Sequence, residues 1–495
     1  MAAPVSERFL GSVWMDLPYA RFMMKRRDAL KTLGGIGAAA GMARFLPACG
    51  GKDGPRGITT YVYMMMENRS YDHLLGARAL PSENKGGDGL TPTGFSNADL
   101  SGAAVPSFTP DRDSLCALDP PHGWDRARQQ WNNGANDGFL RAHQEAHMND
   151  PGVVDILTAR QPMQYLVRND VPVSWALADA YATADRWFCA VMGPTLPNRY
   201  YWHGGSSEGK MDNHPPDGGL KGPSIYHRLD AKGIPWTYYY GNVPVVPLYN
   251  GLDVSRTQPF EQFLFDAKRG VLPPVVYIDP AFDNNDDHPP IHPINGQELI
   301  ASVYNALATS PQWNNCMLLI TYDENGGFFD HVSPPTTVDE RAALGFNQLG
   351  FRVPAIVAGP YVKQGHISSV QYEHCSALRE LELAFGLEPI NQRTMAAHDL
   401  SDFLDADRLA KGDPAEPITL PSVDPTDRNL WPMSDACTPG PETFPTTRHP
   451  LIEWADTHPA VLAGLDLRSQ EAAYRRAIRA SLAEPQTPRS VAPAK

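Results

Sequence analysis

Ile58-Thr59-Thr60-Tyr61-Val62-Tyr63-Met64-Met65-Met66 is an almost unbroken run of apolar, aromatic and β-branched residues, and it stops abruptly at Glu67-Asn68-Arg69-Ser70. Near-continuous apolar strands of this kind belong to sheets covered on both faces. The pattern recurs along the chain. Ile234 to Tyr240 is a second such run, and Val275-Val276-Tyr277-Ile278 ends at Asp279. Cys316 to Tyr322 ends at Asp323-Glu324, and Val353 to Ala358 ends at Gly359-Pro360. Helical periodicity lies between them: Val173 to Thr183 places Trp175, Leu177, Ala178 and Tyr181 on apolar positions, and Gly296 to Thr309 and His374 to Phe385 read likewise. Alternating strands and helices predict an α/β fold, a three-layer α/β/α sandwich around a largely parallel central sheet. Ligands of such sheets bind beyond the carboxyl ends of the strands. Acidic and amide residues cluster at just those ends here.

Three constellations carry chemistry. Glu67-Asn68 and Asp323-Glu324 each put two oxygen donors where a buried strand ends, which suits a hard or borderline divalent cation. Either pair alone would more often cap a helix or solvate a loop. The second is Gly193-Pro194-Thr195-Leu196-Pro197-Asn198-Arg199, a threonine in a rigid turn with Pro197 suited to a helix's first turn. Thr195 could be a plain N-cap. A helix start also offers N–H groups to a phosphate, and a hydroxyl there beside a metal could attack phosphorus. Arg199 could neutralise phosphate oxygens or form an ordinary ion pair. The third is a set of histidines in polar loops: His122, His288 in Asp286-Asp287-His288-Pro289, and His331 in Phe328-Phe329-Asp330-His331. A histidine there can hold a phosphoryl oxygen, ligate metal or protonate a leaving alkoxide.

Taken in order, Glu67-Asn68-Arg69-Ser70-Tyr71-Asp72-His73, the Gly193–Arg199 block and Asp323-Glu324-Asn325-Gly326-Gly327-Phe328-Phe329-Asp330-His331-Val332 resemble the signature blocks of the bacterial phospholipase C and acid phosphatase family. The likeness runs from about Thr59 to about Phe403. It implies an alkaline phosphatase-like sandwich. It also implies metal ligands at Glu67, Asn68, Asp323 and Glu324, a nucleophile at Thr195, and a phosphate pocket lined by His122, His288 and His331. Asn198, Arg199 and Asp287 are the expected substrate contacts. The histidine that gives up the proton stays open, as does the identity of the divalent metal. Threonine at 195 follows the phospholipase branch, so phosphodiester cleavage of a phospholipid is expected. A phosphomonoesterase acting on a small phosphate ester is the alternative within the fold, and a metal-binding surface protein without turnover the alternative outside it. Tyr71 stands where phenylalanine is usual.

Composition sets the remaining bounds. A formal net charge of -14 gains nothing from counterion release, which argues against nucleic acid as a partner. The 47 prolines and 41 glycines indicate many loops, and residues 77–120, 200–232 and 241–290 read as excursions that roof the site. The six cysteines include no CxxC pair and suggest neither a thiolate zinc site nor a dense disulfide framework. Residues 58–410 are read as the catalytic domain and 411–495 as an irregular, then helical tail whose last dozen residues look disordered. Residues 1–49 read as an export address: Arg26-Arg27 ahead of a glycine-rich apolar run resembles a Tat signal. Leu46-Pro47-Ala48-Cys49 also resembles a lipobox, which would make Cys49 a lipid anchor and bring peripheral membrane association. Replacing Arg26 and Arg27 by lysine should therefore leave folded precursor in the cytoplasm, as fractionation would show. Unchanged export of that variant would remove the assignment.

Overall fold

The computed structural model describes residues 57–432 (apart from 117, 151, 152 and 154), 437, 448–459 and 470–483. The export address with Cys49, and the last dozen residues, lie outside them. Eight strands form one sheet: β1 (Thr60–Met66), β2 (Ala182–Ala184), β3 (Trp236–Tyr240), β4 (Thr257–Pro259), β5 (Val275–Asp279), β6 (Cys316–Tyr322), β7 (Ala355–Ala358) and β8 (Ile367–Ser368). Their spatial order is β8-β2-β7-β6-β1-β5-β3-β4. β7 runs antiparallel to both of its neighbours, and the other seven strands run one way.

Helices cover both faces. They are α1 (Pro172–Ala180), α2 (Thr195–Gly204), α3 (Ile225–Lys232), α4 (Phe260–Arg269), α5 (Pro293–Thr309), α6 (His374–Phe385), α7 (Pro450–Thr457) and α8 (Gln470–Ala483). α1, α4, α5 and α8 pack together on one side of the sheet, α2, α3 and α6 on the other. Two adjacent tyrosines of β3 report both layers, since successive side chains of a strand face opposite ways. The Tyr239 hydroxyl donates to Asp266 of α4 at 2.8 Å, whereas the Tyr238 ring lies 6.0 Å from that of His203 in α2. With both faces covered, every residue of β1 is buried, which is why the run from Thr60 to Met66 carries no polar alternation. The architecture is the expected three-layer sandwich.

Register places the chemistry. β1 pairs with β6 from Thr60 against Cys316 through to Met66 against Tyr322, so Glu67 and Asp323 leave the sheet side by side. The Asp323 N–H donates to the Met66 carbonyl at 3.0 Å, and the Glu67 N–H donates to Asp286 at 2.8 Å. β5 flanks β1 on its other side and ends at Asp279.

The fold departs from or adds to the sequence reading at several points, among them α3 inside the stretch 200–232, read as an excursion. The helix expected to reach Thr183 stops at Ala180, and Ala182–Ala184 instead enters the sheet as β2 between β7 and β8. Three small residues of that kind carry no strand signal of their own. The stretch 241–290, read as a loop excursion, contains α4, whose Phe260, Phe263 and Ala267 are buried at helical spacing. Lastly, Cys116 and Cys437 form a disulfide across a sequence separation of 321, while Cys189, Cys316 and Cys375 are buried and reduced. The segment after 411 is tied into the catalytic unit as well: Tyr474 of α8 is buried, and Asn285 donates to its hydroxyl at 2.9 Å. No helix among the described residues is long and apolar enough to cross a membrane.

Gly326 tests the close approach of the two strand ends. Its φ is +60°, and an added Cβ would stand 2.3 Å from the Asn68 carbonyl oxygen. Gly326→Ala combines left-handed strain with a backbone clash, and should lower stability by about 2–4 kcal/mol. The shift of the urea unfolding midpoint measures it.

Candidate active site

Arg199 organises the strand ends from below. It projects from α2 and is fully buried, with Nη2 3.1 Å from Glu67 Oε1, Nη1 3.0 Å from Asp279 Oδ1 and Nε 3.2 Å from Asp323 Oδ2. One guanidinium thus joins the carboxyl ends of β1, β5 and β6 to the helix that begins with Thr195. Asp323 also accepts the N–H groups of Asn68, at 3.2 Å, and Glu324, at 2.7 Å. Asn68 itself has φ +62°, a left-handed conformation that asparagine tolerates better than most residues.

The turn before α2 is stapled by Asn198. Its side chain accepts the Val191 N–H at 3.0 Å and donates to the carbonyls of Gly193, at 3.0 Å, and Pro194, at 3.1 Å. Pro194 occupies the N-cap, so Thr195 is the first helical residue rather than the cap. The helix end offers fewer free donors than its sequence suggests: the Leu196 N–H is taken by Asn213 at 2.9 Å, and Pro197 has none. Thr195 is 1% exposed and lines a cavity of about 750 Å³.

His122, His288 and Asp119 line the same cavity, opposed by His449 and Trp454 of the C-terminal segment and by Lys210. His122 Nδ1 is 2.8 Å from the Pro120 carbonyl, and its Nε2 lies 3.3 Å from Asn68 Nδ2 and 3.9 Å from Glu324 Oε1. Asp119 stands between the two imidazoles, 3.6 Å from His122 Nδ1 and 3.9 Å from His288 Nε2. Burial alone would discharge His288, but Asp119 and Glu67 outweigh it and push it up to about 9. Asp119, His122 and His288 can bring one ligand atom each within 4.8 Å of one another. An imidazolium at His288 suits that group better to an anion than to a cation.

The strand ends carry the opposite demand. Burial, then the neighbouring Glu67 charge, pushes Asp323 up to about 7, and burial beside Asp323 raises Glu324. Burial would raise Glu67 too, but His449 and Arg199 pull it down to about 2. Glu67 Oε2, Asn68 Oδ1 and Glu324 Oε1 are buried without any hydrogen-bond partner. Unpaired buried oxygens are costly. An oxygen-only set of this kind, with more carboxylates than Arg199 can neutralise, fits a divalent cation.

Not every expected contact converges here. His331 does not line the cavity: Nδ1 bonds Asp72 at 2.6 Å, Nε2 bonds Asp88 at 3.1 Å, and its ring stacks on Phe95. Arg352 shares Asp72 with it, at 3.1 Å, and also meets Asp330 at 2.9 Å, so His331 belongs to an ion network built on the buried Arg352. Asp287 is also internal, accepting from Tyr322 at 2.7 Å through its carboxylate and from Arg69 at 2.9 Å through its carbonyl. Arg199 and Asn198 hold the scaffold, and neither lines the cavity. Three residues were missed: Asp119, though it stands three residues before His122; Asp279, at a strand end; and His449, whose only local signal is the following proline.

If Arg199 is the keystone, Arg199→Met leaves buried carboxylates uncompensated and should cost about 3–5 kcal/mol. Arg408→Met, at a half-exposed pair, should cost no more than about 1 kcal/mol. Denaturant midpoints of the two variants make the comparison.

A sequence model described as "Phosphoesterase family" matches residues 58–388. Non-specific phospholipase C6 of Arabidopsis thaliana is 31% identical over 417 residues, covering 77% of this chain and 78% of the relative. Phospholipase C B of Mycobacterium tuberculosis is 29% identical over 454 residues, covering 77% of this chain and 83% of the relative. A solved structure from Vibrio parahaemolyticus, described as a protein in the alkaline phosphatase superfamily, is 10% identical with a TM-score of 0.31, covering 47% of this chain and 64% of that one. The match over 58–388 and the full-length relatives place the chain in the phosphoesterase family, as a phospholipase C-like hydrolase of phosphoric ester bonds.

Proposed function

We propose that the chain cleaves phospholipid phosphodiesters through a Thr195 nucleophile, assisted by a divalent cation at Glu67, Asn68, Asp323 and Glu324. The observation that carries this reading is Thr195 itself. It is a buried residue on the cavity wall, not a helix cap, and Arg199 one turn later ties its helix to two of the proposed ligands. The phospholipid class comes from the phospholipases C among the relatives. The Cys116–Cys437 disulfide suits an oxidising compartment and so favours the exported destination expected from residues 1–49.

A bound cation would supply positive charge to the phosphoryl oxygens and lower the pKa of the Thr195 hydroxyl. With its hydroxyl proton released to solvent, the Thr195 alkoxide attacks phosphorus, and the bond to the leaving alcohol breaks as the new one forms. His288 is the candidate acid for that alkoxide. It lines the cavity, its Nδ1 is fixed 2.6 Å from the Pro289 carbonyl, and Asp119 favours its charged form. The threonine phosphodiester, which keeps the substrate's other alcohol, is then hydrolysed by water: the now neutral His288 accepts the water proton and Thr195 leaves as the alkoxide that began the cycle. His122 Nε2, beside Asn68, remains available to a phosphoryl oxygen.

Thr195→Ser keeps a hydroxyl and should retain measurable turnover. Thr195→Val keeps the shape, and should lose on the order of a thousandfold in kcat, or about 4 kcal/mol of barrier, with its cation content unchanged. Steady-state assays on choline and ethanolamine phospholipids and on a phosphomonoester decide both role and substrate. A Thr195→Val enzyme of near-normal kcat would demote Thr195 to a structural position, and preference for the monoester would overturn the diester assignment.

A further inference from the structure

His449 lies beyond residue 388, where the family match ends, yet it touches the most buried ligand candidate. Its Nε2 is 3.0 Å from Glu67 Oε1, with His449 only 3% exposed and Glu67 fully buried. The proton can be placed: the Leu451 N–H donates to His449 Nδ1 at 3.2 Å, so Nε2 carries the hydrogen and donates to Glu67. The ring is held flat against Phe282, with centroids 4.0 Å apart and planes 2° from parallel. The His449 N–H donates to Asp283 at 3.0 Å, and Pro450 opens α7 directly behind it.

Glu67 Oε1 therefore takes two donors, His449 and Arg199, while Oε2 takes none. We propose that His449 is a positioning residue for the cation site: it saturates one oxygen of Glu67 so that the other is presented, single and fixed, to the cation. Hydrogen bonds of this kind to a ligand carboxylate commonly set metal affinity by 10–100-fold. The segment that delivers His449 is tethered by the Cys116–Cys437 disulfide, whose other end lies just before Asp119 and His122. Asp119 and His122, which follow Cys116, and His449, which follows Cys437, line the same cavity. The same segment supplies Glu453, Trp454 and Thr457 to the outer wall. The C-terminal region completes the active site rather than following it.

The proposal rests on Glu67 being a cation ligand, and the test separates the two claims. Full-length protein is stripped of metal, and Mn²⁺ and Zn²⁺ affinities are measured by equilibrium dialysis, beside kcat and KM at saturating cation. His449→Phe keeps the ring stack and removes the donor. His449→Asn keeps an N-cap acceptor for Leu451 but cannot reach Glu67, and serves if the phenylalanine variant does not fold. Both should bind cation about 10–100-fold more weakly, with KM little changed at saturation. His449→Gln restores an N–H donor and should recover most of the affinity. Wild-type affinity in the phenylalanine or asparagine variant, with Glu67→Ala losing its cation, overturns the role of His449. A glutamine variant as weak as phenylalanine would overturn the hydrogen bond as its means. Full cation binding by Glu67→Ala overturns the ligand reading instead.

Discussion

A single buried guanidinium holds this active site together. Arg199 meets the carboxylates at the ends of three neighbouring strands and belongs to the helix that Thr195 begins. The desolvation of that charge is tolerable only because the carboxylates surround it, and theirs only because it is there. The arrangement leaves a deliberate imbalance. Glu67, Asp279, Asp323 and Glu324 are all buried, and one arginine cannot neutralise them. That excess of buried carboxylate, on strands tied by Arg199 to the helix of Thr195, is what the proposed cation site would neutralise.

Around those strand ends, the polar residues divide into two sets with different work. Asp72, Asp330, His331 and Arg352 form an internal network that locks the loops after β1 and β6 to each other. His122, His288 and Asp119 face the cavity, where Asp119 and Glu67 favour the charged form of His288. Motif residues that look alike in sequence thus serve either architecture or chemistry, depending on whether their partners close around them.

Much of this was legible in the sequence. The unbroken apolar runs identified the central strands, because a doubly covered sheet imposes no alternation, and the acidic pairs after β1 and β6 marked the two strand ends that leave the sheet side by side. Thr195 stood out through its Pro/Gly turn. What failed to show was long-range. β2 is three small residues whose partners are remote, and His331 lies in a motif as polar as that of His288 but is enclosed by Arg352. His449 and the Cys116–Cys437 bond depend on contacts across most of the chain, which no local pattern encodes. Arg199 was open in the sequence between a phosphate contact and an ion pair, and only the converging strand ends reveal a keystone.

The central claim is that Thr195 bonds to phosphorus during turnover. Acid-quenching the wild-type enzyme in mid-reaction with a phosphodiester substrate, followed by peptide mass spectrometry, tests it directly. The account predicts, on the peptide containing Thr195, a phosphoryl group still esterified to the substrate's retained alcohol, absent from the Thr195→Val enzyme treated identically. A quenched enzyme in full turnover, from conditions in which the intermediate is shown to survive the quench and to accumulate, whose Thr195 peptide stays unmodified would contradict it and assign the attack to water.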